Sequence, residues 1–113
     1  MSLKYKDIMV GCDPEFFLKD TETGQYVSAH GLVPGNKKEP YKLRNGAVQL
    51  DGTAVEFNIN PTGDVDEFCY NIKSVLDQIR EMIPKKYAFC FVPAVLYEKK
   101  YFETIPEECL VLG

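Results

Sequence analysis

Between residues 65 and 83 the apolar side chains fall three and four positions apart: Val65, Phe68, Cys69, Ile72, Val75, Leu76, Ile79, Met82 and Ile83. At 3.6 residues per turn this spacing gathers them into one stripe, leaving Asp66, Glu67, Lys73, Asp77, Arg80 and Glu81 on the outer side. Asp64 can cap the N-terminus with Glu67 as a reciprocal acceptor three residues on. Pro84 stops the helix, and Lys85 and Lys86 bring positive charge to the C-terminal end of its dipole. The pattern predicts a helix over about 64–83.

Elsewhere the period is two. Phe16 and Leu18 alternate with Glu15 and Phe17, and Val55, Phe57 and Ile59 alternate with Ala54, Glu56, Asn58 and Asn60. Strands over 14–19 and 25–29 flank the polar connection Thr21-Glu22-Thr23-Gly24, a hairpin pattern. Residues 30–40 hold Gly31, Pro34, Gly35, Asn36 and Pro40, a density of turn formers that marks a loop. Strands over 41–43 and 47–50 flank Arg44-Asn45-Gly46, whose Asn-Gly step tolerates the positive φ of a tight turn. A strand over 53–60 is closed by Pro61, and 87–97 is aromatic and β-rich with a break at Pro93. Tyr87, Phe89 and Phe91 read as sheet packing.

These elements predict an α+β fold: an antiparallel sheet of about five to six strands, with the one long amphipathic helix packed on its outer face through Phe16, Leu18, Val55, Phe57 and Ile59. The opposite face then carries Glu15, Glu56, Asn58 and Asn60. The 113 residues, 45% of them hydrophobic, suit one compact domain. The terminal run Cys109-Leu110-Val111-Leu112-Gly113 reads as a strand that stops abruptly, so the chain is expected to be part of something longer.

A net charge of -4 argues against duplex nucleic acid or an anionic membrane surface as the main partner. No apolar run approaches the roughly 20 residues that span a bilayer, and a cytoplasmic location is expected. Cys12, Cys69, Cys90 and Cys109 form no Cys-x-x-Cys pair and have only His30 as an imidazole companion, which disfavours zinc. Free thiols in a reducing compartment are expected, with Cys69 and Cys90 acting as small buried hydrophobes.

The candidate chemistry lies in Glu15 and Glu56, carboxylates on the polar face of otherwise apolar strands. Alternation alone favours two acids that simply face solvent on a one-sided sheet, the default for such strands. Paired on a rigid face, they also offer what a hard divalent cation prefers, oxygen ligands with positions left for water and phosphate. Asp51-Gly52 by itself reads as a turn pair, and Asp13 before Pro14 as a turn opener.

Three ordered segments carry a resemblance: Gly11-Cys12-Asp13-Pro14-Glu15-Phe16-Phe17-Leu18; His30-Gly31-Leu32-Val33-Pro34-Gly35-Asn36-Lys37-Lys38 with Pro40; and Gly46-Ala47-Val48-Gln49-Leu50-Asp51-Gly52-Thr53-Ala54-Val55-Glu56-Phe57-Asn58-Ile59-Asn60-Pro61. Together they resemble the phage-encoded carboxylate-amine ligases (amidoligase type 2). The first is also similar to the Gly-x-Glu-x-Glu-Phe opening of glutamate-cysteine ligases, with Asp13 and Glu15 at its acidic positions. The resemblance implies part of a glutamine synthetase-like catalytic fold, the N-terminal portion of a longer catalytic domain in a phage or prophage protein.

It further implies ATP and Mg²⁺ or Mn²⁺ as cofactors, and small-molecule or peptide carboxylate and amine substrates joined through an acyl phosphate. Glu15, Glu56 and Asp13 would be metal ligands; Lys37, Lys38, Asn58 and His30 would meet nucleotide or substrate. Truncation would leave a sheet edge open to self-association. The competing expectation is a noncatalytic cation-binding or virion-associated β-rich binding domain.

Overall fold

The computed structural model describes residues 8–93, 95, 97 and 99–110. Strands β1 (Glu15–Asp20), β2 (Tyr26–Val27), β3 (Tyr41–Leu43), β4 (Gly46–Asp51) and β5 (Ala54–Ile59) lead into helix α1 (Val65–Met82). Strand β6 (Tyr87–Cys90), a helical turn α2 (Lys99–Phe102) and a 3-10 turn at Glu107–Leu110 follow. The six strands form one antiparallel sheet in which β2, β1, β5, β4 and β3 are successive neighbours and β6 also pairs with β1.

Successive peptide groups of a strand address opposite edges, which shows how β1 serves three partners. Pro14 O accepts from Phe57 N, and Asp20 N donates to Gln25 O, so β5 and then β2 occupy one edge. Thr21 N donates to Lys86 O on the other edge, the side of β6. Ala29 N donates to Thr53 O at 2.9 Å and ties the end of β2 to the start of β5.

The expected faces are the observed ones. Phe16, Leu18, Val55, Phe57 and Ile59 are all buried, joined by Val48, and α1 lays Val75 and Ile79 against them, with Ile83 just beyond the helix. Phe16 sits at the centre, its ring 4.3 Å from that of Phe89 and 6.2 Å from that of Phe57. Helix and sheet approach closely at Gly46, where a Cβ would lie 2.8 Å from Val75 Cγ2. Asn71 is also fully buried on this side, its Nδ2 donating to Asn60 O at 3.1 Å.

The helix begins where its cap predicts: Asp64 Oδ1 accepts from Asp66 N at 2.9 Å and Glu67 N at 3.3 Å. The reciprocal partner differs, since Asp64 N donates to Thr62 Oγ1 and not to Glu67. At the other end the cation on the last carbonyls is Arg80, which donates to Ile83 O and Pro84 O, in place of the expected lysines. Replacing Asp64 with Ala orphans two amide donors, so a loss of about 1 kcal/mol, or about 4 °C in Tm for a chain of this length, is expected by thermal denaturation.

Several expectations are corrected. Strand pairing over 25–29 is confined to Tyr26–Val27. Among the described residues of the segment 87–97, strand pairing runs through Tyr87–Cys90, leaving Phe91 and Val92 exposed. Glu107–Leu110 is a 3-10 turn where a strand was expected, and 111–113 lie outside the described residues. Cys69 is exposed and Cys90 half-buried, so neither is a core hydrophobe; Cys12, Cys69 and Cys90 do carry free thiols. No helix among the described residues is long and apolar enough to cross a membrane.

Candidate metal centre

Glu15 and Glu56 are direct cross-strand partners, the register of β1 on β5 placing them opposite one another on the face away from α1. Glu56 is in turn opposite Gln49 on β4, and Asp51 opposite Ala54. Cross-strand partners share a face, so Glu15, Glu56, Gln49 and Asp51 project together. One carboxylate oxygen from each of Glu15, Asp51 and Glu56 lies within 4.8 Å of the other two. Gln49, buried among its neighbours, donates from Nε2 to Glu56 Oε2 at 2.9 Å and fixes that carboxylate.

Asp51 is the member of the cluster that the sequence does not single out. Its Asp-Gly step does form the turn, with Gly52 at φ +60, but Asp51 is also the last residue of β4. Counting back across the two-residue turn Gly52-Thr53 pairs Asp51 with Ala54 and puts it on the face of Glu56. That counting was the available signal.

The other candidates are placed as follows. Asp13 is exposed and falls opposite Asn58, because Pro14 O and Cys12 O accept from Phe57 N and Ile59 N on either side. It lies one pair step, about 6.8 Å, along the strand from Glu15. It stands outside the triad, though its charge reaches Glu56. Asn58, exposed on the same face, borders the triad.

Lys37 and Lys38 are exposed in a small closed turn in which Asn36 and Glu39 exchange backbone hydrogen bonds and Asn36 Oδ1 accepts from Lys38 N and Glu39 N. Gly35 O accepts from Leu50 N, so this turn hangs from the free edge of β4, two strands from Glu15. His30 is half-buried with Nδ1 2.8 Å from Ser28 Oγ, just past β2. No recorded hydrogen bond or ion pair brings either lysine or His30 to the triad.

Loss of solvent pushes the carboxyls of both Glu15 and Glu56 above the usual glutamate range. Asp51 adds to the rise in each by hydrogen bond and by charge, and Asp13 and Glu15 add charge at Glu56. A group that holds its proton more tightly when folded stabilises the fold below its unfolded pKa, about 4.3 for glutamate, and loses that contribution as pH rises through the folded value. Metal-free protein is therefore expected to lose Tm between pH 4 and neutrality relative to a Glu15→Gln/Glu56→Gln variant. Parallel profiles in differential scanning calorimetry would contradict the assignment.

An oxygen-only donor set suits a hard cation. Mg²⁺ at about 2.1 Å places adjacent ligand oxygens about 3.0 Å apart and opposite ones about 4.2 Å, so the triad's oxygens would draw together from their spacing of up to 4.8 Å to bind such an ion. No cysteine or histidine belongs to this cluster. Comparison with family models, with curated proteins and with solved structures gave no match to this chain.

Proposed function

We propose that this chain bears the metal site of an ATP-dependent carboxylate-amine ligase with a glutamine synthetase-like sheet. The observation that carries the reading is the convergence of Glu15, Asp51 and Glu56 within 4.8 Å on the face that α1 leaves open. The motif resemblance adds the reaction class. A bound Mg²⁺ or Mn²⁺ would screen the nucleotide phosphates against an attacking carboxylate.

The chain's own residues then have distinct tasks. Glu15, Asp51 and Glu56 hold the ion; Gln49 keeps Glu56 oriented through Nε2. Asn58 and Asp13, one pair step away, orient what approaches along the face. Lys37 and Lys38 at the sheet margin neutralise phosphate or carboxylate charge when substrate spans from the triad to that edge. His30, held by Ser28, stands by the β4–β5 turn and contacts substrate from that side.

The alternative reading is a noncatalytic cation-binding module, in which the same three carboxylates hold an ion and no nucleotide follows. Thermal unfolding separates the two readings, because a ligand that binds the folded state alone raises Tm. A rise with Mg²⁺ that grows further with a nonhydrolysable ATP analogue supports the ligase. A rise with Mg²⁺ alone supports the binding module, and no rise with either contradicts both.

A further inference from the structure

Three carboxylates held together repel one another, and Asp51 is the one best placed to escape, because it ends β4 at the tip of a two-residue turn. A turn at the margin of a sheet gains stability against local opening when chain from outside the hairpin packs on it. Here the C-terminal segment does so from two directions. Tyr97 and Tyr101 stack with ring centroids 5.4 Å apart. Tyr97 OH lies 3.0 Å from Thr53 Oγ1, inside the turn itself. Tyr101 OH accepts from Ser28 N at 2.7 Å, and the next residue, Ala29, donates its N–H to Thr53 O. The backbone at Cys109 closes over the remaining turn residue, its carbonyl oxygen 3.1 Å from where a Cβ on Gly52 would stand.

Of the two residues that follow Asp51, Thr53 is bonded and Gly52 is closely approached by chain from beyond position 96, more than 40 residues away. Neither tyrosine belongs to the triad; Glu15 and Glu56 are paired within the ladder, whereas Asp51 sits at its last pair, opposite Ala54, beside the turn. The hydroxyls act on the third member. We infer that Tyr97 and Tyr101 are positioning residues whose hydroxyls hold the β4–β5 turn so that Asp51 stays in register with Glu15 and Glu56. The inference rests on the proposed cation site for its functional meaning, while the positioning itself is testable without a cation.

The test uses Tyr97→Phe, Tyr101→Phe and the double variant, which keep both rings and their stacking. Carboxyl ¹³C titration of Glu15 and Glu56 in metal-free protein reads the distance to Asp51: release of the turn lowers both glutamate titrations toward the ordinary range. A fold-only effect would leave them in place. Mn²⁺ titration of the same proteins is expected to show about tenfold weaker binding in the double variant, the lower end of what loss of supporting partners costs a metal site. Should the double variant not fold, either single variant shows the same shifts at smaller size. Glutamate titrations identical to wild type in the folded variants overturn the inference. Shifted titrations in a protein that binds no Mn²⁺ uphold the positioning and overturn the cation site.

Discussion

Asp51→Asn is expected to do two opposite things: raise the Tm of metal-free protein and abolish the rise that Mg²⁺ or Mn²⁺ produces in wild type. The first follows from charge. Asp51 contributes to the upward push on both Glu15 and Glu56, so an isosteric neutral side chain removes the negative neighbour that both glutamates share. The second follows from ligand count, since two carboxylates on an exposed face hold a divalent ion far less well than three. In wild type, a cation at a hundredfold excess over its Kd adds about 2.7 kcal/mol, which is about 10 °C for a domain of this length. Differential scanning fluorimetry with and without the ion reads both effects. Stabilisation by Mn²⁺ that survives the substitution would place the ion elsewhere.

Phe16→Ala is expected to have the largest effect on stability of any core truncation in the chain. Phe16 is fully buried at the crossing of β1, β5, β6 and α1, its ring packed on Phe57, Phe89 and Phe91. Phe89 in turn lies under the Arg80 guanidinium at 4.2 Å, so the cavity left behind would loosen the contact that joins the helix end to β6. Such truncations cost about 3–5 kcal/mol, a large part of the ~5–15 kcal/mol that holds a domain together. Urea denaturation is expected to show a loss of unfolding free energy of that size in Phe16→Ala and a much smaller one in Phe16→Leu. Equal losses in the two would mean that the ring contacts, and not the bulk that fills the site, carry the effect.

The helix and the two-faced sheet were legible because their causes are local. The spacing of Val75, Ile79 and Ile83 and the alternation of Phe16 and Leu18 against Glu15 each specify a face, and the tertiary structure uses those faces. What periodicity does not specify is whether anything lies beneath a given position. Cys69 falls on the apolar stripe yet stays exposed near the helix start, while Asn71, a polar residue outside the stripe, is buried against Asn60.

Partners are likewise invisible to composition. The aromatic run after Tyr87 has strand propensity throughout, but it pairs with β1 only as far as Cys90, opposite Phe17. Within the acidic site, Glu15 and Glu56 were readable from alternation, whereas Asp51 was masked by its turn chemistry and needed the register of β4 on β5. The tyrosine contacts that hold its turn span 44 and 73 residues of sequence, and no local pattern encodes them.

The central claim, a cation site made by these three carboxylates, is tested most directly by adding substoichiometric paramagnetic Mn²⁺ to ¹⁵N-labelled protein and following amide line broadening. Broadening that appears first at Glu15, Gln49, Asp51 and Glu56 is the result the account predicts. Broadening centred on Asp66 and Glu67 at the start of α1, or spread evenly over the acidic surface, would contradict it.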